Sequence, residues 1–190
     1  MALVLTKGES LDLTKTDTSL TKLRIGLGWD TAETGSAFDL DAHAFLLNKD
    51  GKIRSEKDVV YFGQKEAADG AVKTLGDNRT GDGDGDDETI LINLSTLPED
   101  IEKVVITVDI YDAVTRQQNF GKVQNEFVRC VNDDTGAELA RFEPQDENGR
   151  NEHTAIIFGE VYRNEGGWSF KAIGEALAGN LSTLIAKFSA

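Results

Sequence analysis

With 190 residues, 39% of them hydrophobic, and 19 glycines, the chain is long enough for one well-filled core and short for two. Its net charge of −14 excludes nucleic acid as a partner, because phosphates are met by Lys and Arg that displace counterions. The same charge opposes an anionic membrane surface unless a bound cation bridges the two.

The start, Met-Ala-Leu-Val-Leu-Thr-Lys-Gly, has no cationic segment followed by a long apolar one, so no signal peptide is expected. Leu23, Ile25 and Leu27 then alternate with Lys22, Arg24 and Gly26, the period of a strand with one buried face. Phe38, Leu40, Ala42 and Ala44 alternate with Asp39, Asp41 and His43 in the same way. Further strands are expected at Val59–Phe62, Val72–Leu75, Thr89–Leu94, Lys103–Tyr111, Glu126–Val131, Glu138–Phe142 and Ala155–Tyr162. Asn48-Lys49-Asp50-Gly51 and Asp133-Asp134-Thr135-Gly136 carry hairpin chemistry. Pro98 to Glu102 is expected to form one helical turn, with proline early enough that its missing N–H does no harm. The single cysteine, Cys130, permits no internal disulfide and fits a reducing compartment; inside a strand it reads as a buried thiol. Near the end, Leu181, Leu184, Ile185 and Phe188 fall at i, i+3, i+4 and i+7, the stripe of a helix capped by Asn180 or Ser182 and packed over one sheet. Many short strands at this spacing predict a mainly β, antiparallel sandwich with a few short helices and a C-terminal helix, in one domain spanning residues 1–190. No apolar stretch approaches the ~20 residues that span a bilayer, so a cytoplasmic protein without direct membrane insertion is expected.

The densest chemistry lies between Gly76 and Glu88. Six of these thirteen residues are carboxylates, four are glycines, and Arg79 is the lone cation. Like charges so crowded repel one another in water, while glycine lets short carboxylates and carbonyls turn toward one point. Oxygen donors, negative charge and tight turns are what Ca²⁺ demands, about 6–8 oxygens per ion. The loop is not an EF-hand. Counting from Asp82, the sixth position is Asp87 rather than Gly and the twelfth is Asn93 rather than Glu, and β-like sequence follows.

The site must therefore be completed from elsewhere. Asp39 and Asp41 leave one face of a strand start, and Asp30 ends the strand before it. One loop thus carries Asp30, Asp39 and Asp41; the other carries Asp77, Asn78, Gly83, Asp84, Asp86, Asp87 and Glu88. That is more carboxylate than one ion uses, so two Ca²⁺ ions per chain are expected. Asp109-x-x-Asp112 is either a third acidic contributor or a strand end. Catalytic patterns are weak. His43 reads as a partly buried strand residue and His153 as surface, and no Ser-His-Asp order, phosphate loop or dinucleotide fingerprint is present.

Lys7-Gly8, Gly26-Leu27-Gly28-Trp29-Asp30, Phe38-Asp39-Leu40-Asp41-Ala42 and Gly76-Asp77-Asn78-x-Thr80-Gly81-x-Gly83-x-Gly85-Asp86-Asp87-Glu88 together form a long pattern. Phe120-Gly121-x-Val123-x-Asn125, Gly159-Glu160-x-Tyr162-Arg163 and Trp168 extend it. Over essentially its whole length the chain resembles the TerD-type tellurium-resistance family. The resemblance implies a calcium-binding β-sandwich from a bacterial stress operon linked to tellurite, phage and colicin resistance, with no enzymatic activity supplied. Asp82 and Asp84 stand where the family accepts other residues. The expected function is Ca²⁺-ordered acidic loops that bind other proteins of the resistance system. The alternative is a metal-dependent enzyme acting on a small anionic substrate.

Overall fold

The computed structural model describes residues 2–31, 38–76, 85–144 and 150–189, and everything below concerns these. Thirteen strands form a sandwich. The first sheet has seven strands in the order β1-β11-β10-β3-β8-β7-β6. They are β1 Leu3–Leu5, β3 Lys22–Thr31, β6 Glu66–Ala67, β7 Val72–Thr74, β8 Glu88–Asn93, β10 Val123–Asn132 and β11 Glu138–Phe142. The second has six, in the order β2-β13-β12-β9-β4-β5. These are β2 Ser10–Asp12, β4 Leu40–Leu47, β5 Val59–Val60, β9 Lys103–Ile110, β12 Ala155–Asn164 and β13 Gly167–Leu177. Only β1 on β11 is a parallel pairing; the other ladders between these strands are antiparallel.

The alternation read from sequence places the core. Leu23, Ile25 and Leu27 of β3 meet Leu40, Ala42, Ala44 and Leu46 of β4 and Val104, Ile106 and Val108 of β9 in one buried cluster. The second sheet is covered on its other face too. There Phe45, Leu47, Val105 and Ile157 pack under Leu184 and Phe188 of α3 (Leu181–Ser189), with the Phe45 and Phe188 rings 4.9 Å apart. The expected helix thus forms and lies on a sheet, and Asn180 caps it, its side-chain oxygen accepting from the Thr183 N–H at 3.2 Å. Burial on both faces is why β4 reads Leu-Asp-Ala-His-Ala-Phe-Leu-Leu, and why His43 is fully buried.

Several local expectations are corrected. Pro98 to Glu102 is a turn closed by Ile101 N–H to Pro98 C=O at 3.0 Å, not a helical turn. The next amide, Glu102 N–H, bonds instead to Leu47 C=O of β4, and the Arg163 guanidinium donates to the carbonyls of Leu97, Pro98 and Ile101. The few short helices expected are present, at α1 Leu13–Thr16 and α2 Ala113–Arg116, where the sequence pattern gives no position for them, and the eleven-residue β13 adds a strand the pattern does not mark. His153 is half-buried rather than on the surface. The Asp133–Gly136 hairpin forms as expected between β10 and β11.

Candidate metal centre

Three strand ends meet at one end of the sandwich. β3 runs out through Trp29 and Asp30, β4 begins after Asp39, and β8 begins at Glu88. Since β3 and β8 belong to one sheet and β4 to the other, the carboxylates at these ends face each other across the gap between the sheets. Asp39, Asp41, Asp87 and Glu88 line a single cleft of ≈ 920 Å³, with Lys65 and Arg116 on its walls.

Backbone geometry explains the aim of each group. The Asp39 carbonyl accepts from Tyr111 N–H at 2.8 Å, tying the start of β4 to the end of β9. Asp41 sits opposite Asp109 in the β4–β9 register. Asp87 is clamped to β3 twice: its N–H donates to Leu27 C=O at 2.7 Å, and its carboxylate accepts from Trp29 N–H at 2.8 Å. One of its oxygens is therefore already oriented by a backbone donor.

Asp30 is placed differently. It is exposed, and its carboxylate accepts from the Asn125 amide at 2.8 Å rather than lining the cleft. Asn125 lies in a bulge between Gln124 and Phe127 and has a left-handed backbone, φ 52°. Beside it, Glu126 is buried and paired with the buried Arg150. The motif around Asn125 is thus a mount for Asp30. The sequence shows the motif but gives no role for Asn125, whose partner Asp30 lies far away in the chain.

Asp86 has a second engagement. Its side chain, 5% exposed, receives Arg129 Nε at 2.7 Å, with Arg24 at 4.0 Å. Bonding to Asp86 raises the Arg129 pKa against the pull of its partial burial. A Cβ at Gly26 would land on this carboxylate, and one at Gly28 would strike the Phe127 ring, so both positions on β3 need glycine for close approach. Consecutive acidic residues therefore part company, Asp86 to the arginines and Asp87 and Glu88 to the cleft.

Asp77, Asn78, Gly83 and Asp84 lie outside the described residues. Among the described residues no three His, Cys, Asp or Glu side chains converge tightly enough to hold a metal ion by themselves. The donors that do share the cleft are all oxygens, the set suited to a hard cation such as Ca²⁺ and unlike the nitrogen and sulfur sets of zinc. His43 and Asp109 stand beside the site, Nε2 to carboxylate 2.5 Å, and the other Asp109 oxygen accepts from Leu181 N–H at 3.0 Å. Asp109 is therefore occupied in joining β9, β4 and the start of α3.

Comparisons with known proteins agree with this architecture. The TerD domain model matches residues 1–188. Tellurium resistance protein TerD of an Alcaligenes species is 44% identical over 99% of this chain and 97% of its own. General stress protein 16U of Bacillus subtilis is 45% identical over 97% of this chain and 95% of its own. A solved homologue of telluride resistance protein (TerD) from Streptomyces coelicolor A3(2) superposes with TM-score 0.65 at 23% identity, covering 87% of this chain and 95% of that one, and shares the fold. The chain belongs to the TerD family, whose named members include tellurium-resistance and general stress proteins.

Proposed function

We propose that the chain is a non-enzymatic Ca²⁺-binding protein of a bacterial tellurite- and stress-resistance system, working in the cytoplasm and binding other proteins of that system through its acidic loops. The observation that carries this reading is the meeting of Asp39 and Asp41 from one sheet with Asp87 and Glu88 from the other in one cleft. Asp30, next in sequence to the lining residue Trp29, and Asp77, Asn78, Gly83 and Asp84 of the glycine-rich loop complete the proposed ligand set. Asp86 serves by anchoring that loop to Arg129. When bound, calcium supplies positive charge between carboxylates that otherwise repel and links the ends of the two sheets. Asp87 is pre-oriented by Trp29 N–H and Asp30 by Asn125, so part of the ordering is already in place before binding.

Calorimetric titration tests the reading. Flexible all-oxygen ligands are expected to take about two Ca²⁺ per chain and to keep them against a several-fold excess of Mg²⁺, which insists on octahedral geometry. Asp39→Asn with Asp41→Asn is expected to weaken binding. No heat, or equal affinity for both metals, overturns the proposal. Parent-like affinity in the double variant removes the β4 half of the site.

The Asp30 mount gives a second expectation. Asn125→Gly keeps the left-handed backbone but deletes the amide that holds Asp30. Loss of such a supporting hydrogen bond lowers metal affinity by about 10–100-fold, while the melting temperature in chelator stays near the parent value. Unchanged affinity in this variant shows that Asp30 needs no support or binds no metal.

A further inference from the structure

Four strands end the two sheets: β1 and β6 in the first, β2 and β5 in the second. An edge left flat, apolar and uncharged invites a further strand, and folded chains blunt such edges with charge, proline or cover. β6 carries the exposed Glu66, and both residues of β5 are buried. β2 ends in Asp12, whose carboxylate accepts from the Lys15 N–H of α1 at 2.9 Å. β1, Leu3-Val4-Leu5, has none of these protections. Leu3 is 48% and Val4 63% exposed, and among the described residues β1 pairs on one side alone, with β11.

Beside this edge lies a groove of ≈ 190 Å³, lined by Leu5 and Thr6, by Phe142 and Pro144, and by Gly174 of β13 in the other sheet. Leu3 and Leu5 leave the same face of β1, the face on which Phe142, paired with Leu5, is buried. In a second β1 laid antiparallel about Val4, Leu3 of each copy stands opposite Leu5 of the other, on that face and at the groove. An exposed knob and an open hole thus occur on one strand, at the spacing that a two-fold axis exchanges. Charge agrees with this pairing. Each chain carries −14, so copies can approach only where charge is absent or paired. Residues 2–6 carry none, and beside them Arg141 and Glu143 form an ion pair at 2.7 Å. We propose that two copies of the chain associate by antiparallel pairing of β1 with β1, joining their seven-stranded sheets edge to edge and seating Leu3 of each in the other's groove. Strands of three residues give an interface under the roughly 1,200 Å² of standard complexes, so the pairing is weak and depends on concentration. It closes at two copies, because each has one such edge, and it needs no calcium.

The test is sedimentation equilibrium of the intact chain in chelator, from about 10 µM to about 1 mM and in about 0.5 M salt, which screens the repulsion between copies. The mean mass is expected to climb from that of one chain toward that of two. Val4→Lys sets like charges opposite each other at the axis and is expected to weaken association about tenfold, with the melting temperature near the parent value because Val4 is largely exposed. Oxidation reads the register. Val4→Cys brings two thiols to directly opposed positions, where Cα atoms about 4.5–5.5 Å apart suit a disulfide, whereas Thr6→Cys holds them well beyond that reach. A disulfide-linked dimer is expected from the first variant alone, and the fully buried Cys130 does not compete. A mass that stays at one chain throughout overturns the proposal. So does parent-like association of Val4→Lys, which assigns the contact to another surface, and so does cross-linking through Thr6→Cys in place of Val4→Cys, which assigns another register.

Discussion

Saturating calcium is expected to raise the melting temperature by about 5–10 °C for each site filled, and chelator to remove the gain. Asp39, Asp41, Asp87 and Glu88 face one another across the sheet ends, and the glycine-rich loop adds further carboxylates. An ion bound by the folded arrangement and not by the unfolded chain stabilises by mass action, about 2.7 kcal/mol at 100 times its dissociation constant. For a domain of this size each kcal/mol moves the midpoint by roughly 2–4 °C. Monovalent salt is expected to recover only a fraction, since screening relieves repulsion without providing a ligand-bound ion. Melts in chelator, in calcium and in salt alone make the comparison. If salt equals calcium, the acidic end is a solvated tip and the calcium reading fails.

Arg129→Met is expected to lower the melting temperature whether calcium is present or not. It leaves the Asp86 carboxylate, 5% exposed, without its 2.7 Å partner and with Arg24 no nearer than 4.0 Å. Stranding a desolvated charge costs about 3 kcal/mol, a fall of roughly 6–12 °C. Adding Asp86→Asn to the same chain removes the stranded charge and is expected to restore part of the loss. A fall below about 1 °C in the single variant shows that the pair behaves like an exposed one. Thermal melts in chelator, with parent, single and double variants side by side, read all three outcomes.

The framework was legible where one face of a strand meets the core and the other meets water or a charge. Leu23, Ile25 and Leu27 carried that signal for β3, and Glu138–Phe142 appears with its expected bounds. It failed for β13, where Trp168, Phe170 and Ala172 face the main core while Ile173 and Leu177 lie under α3. Trp168, Phe170 and Ala172 alternate with Ser169 and Lys171 over only half of the strand, and the apolar Ile173 that follows on the other face breaks the period. At the site, adjacency in sequence grouped Asp86 with Asp87 and Glu88. What separates them is the pair of glycines on β3, whose missing side chains admit the Asp86 carboxylate and the Phe127 ring. That clue sits sixty residues away and becomes readable only with the β3–β8 register. Asn125 carried no periodic signal because it lies in a bulge, where the ladder is interrupted.

Cys130 has a consequence for durability. It is the chain's one sulfhydryl, fully buried in β10, and burial pushes its ionisation far above the ordinary thiol range. Oxidation and capture by soft electrophiles begin from an accessible thiolate. The folded chain offers none. It is therefore expected to react slowly with thiol-seeking reagents, and labelling of Cys130 to require unfolding. The chain's cleft carboxylates gather at one end of the sandwich while its thiol lies sealed between the sheets.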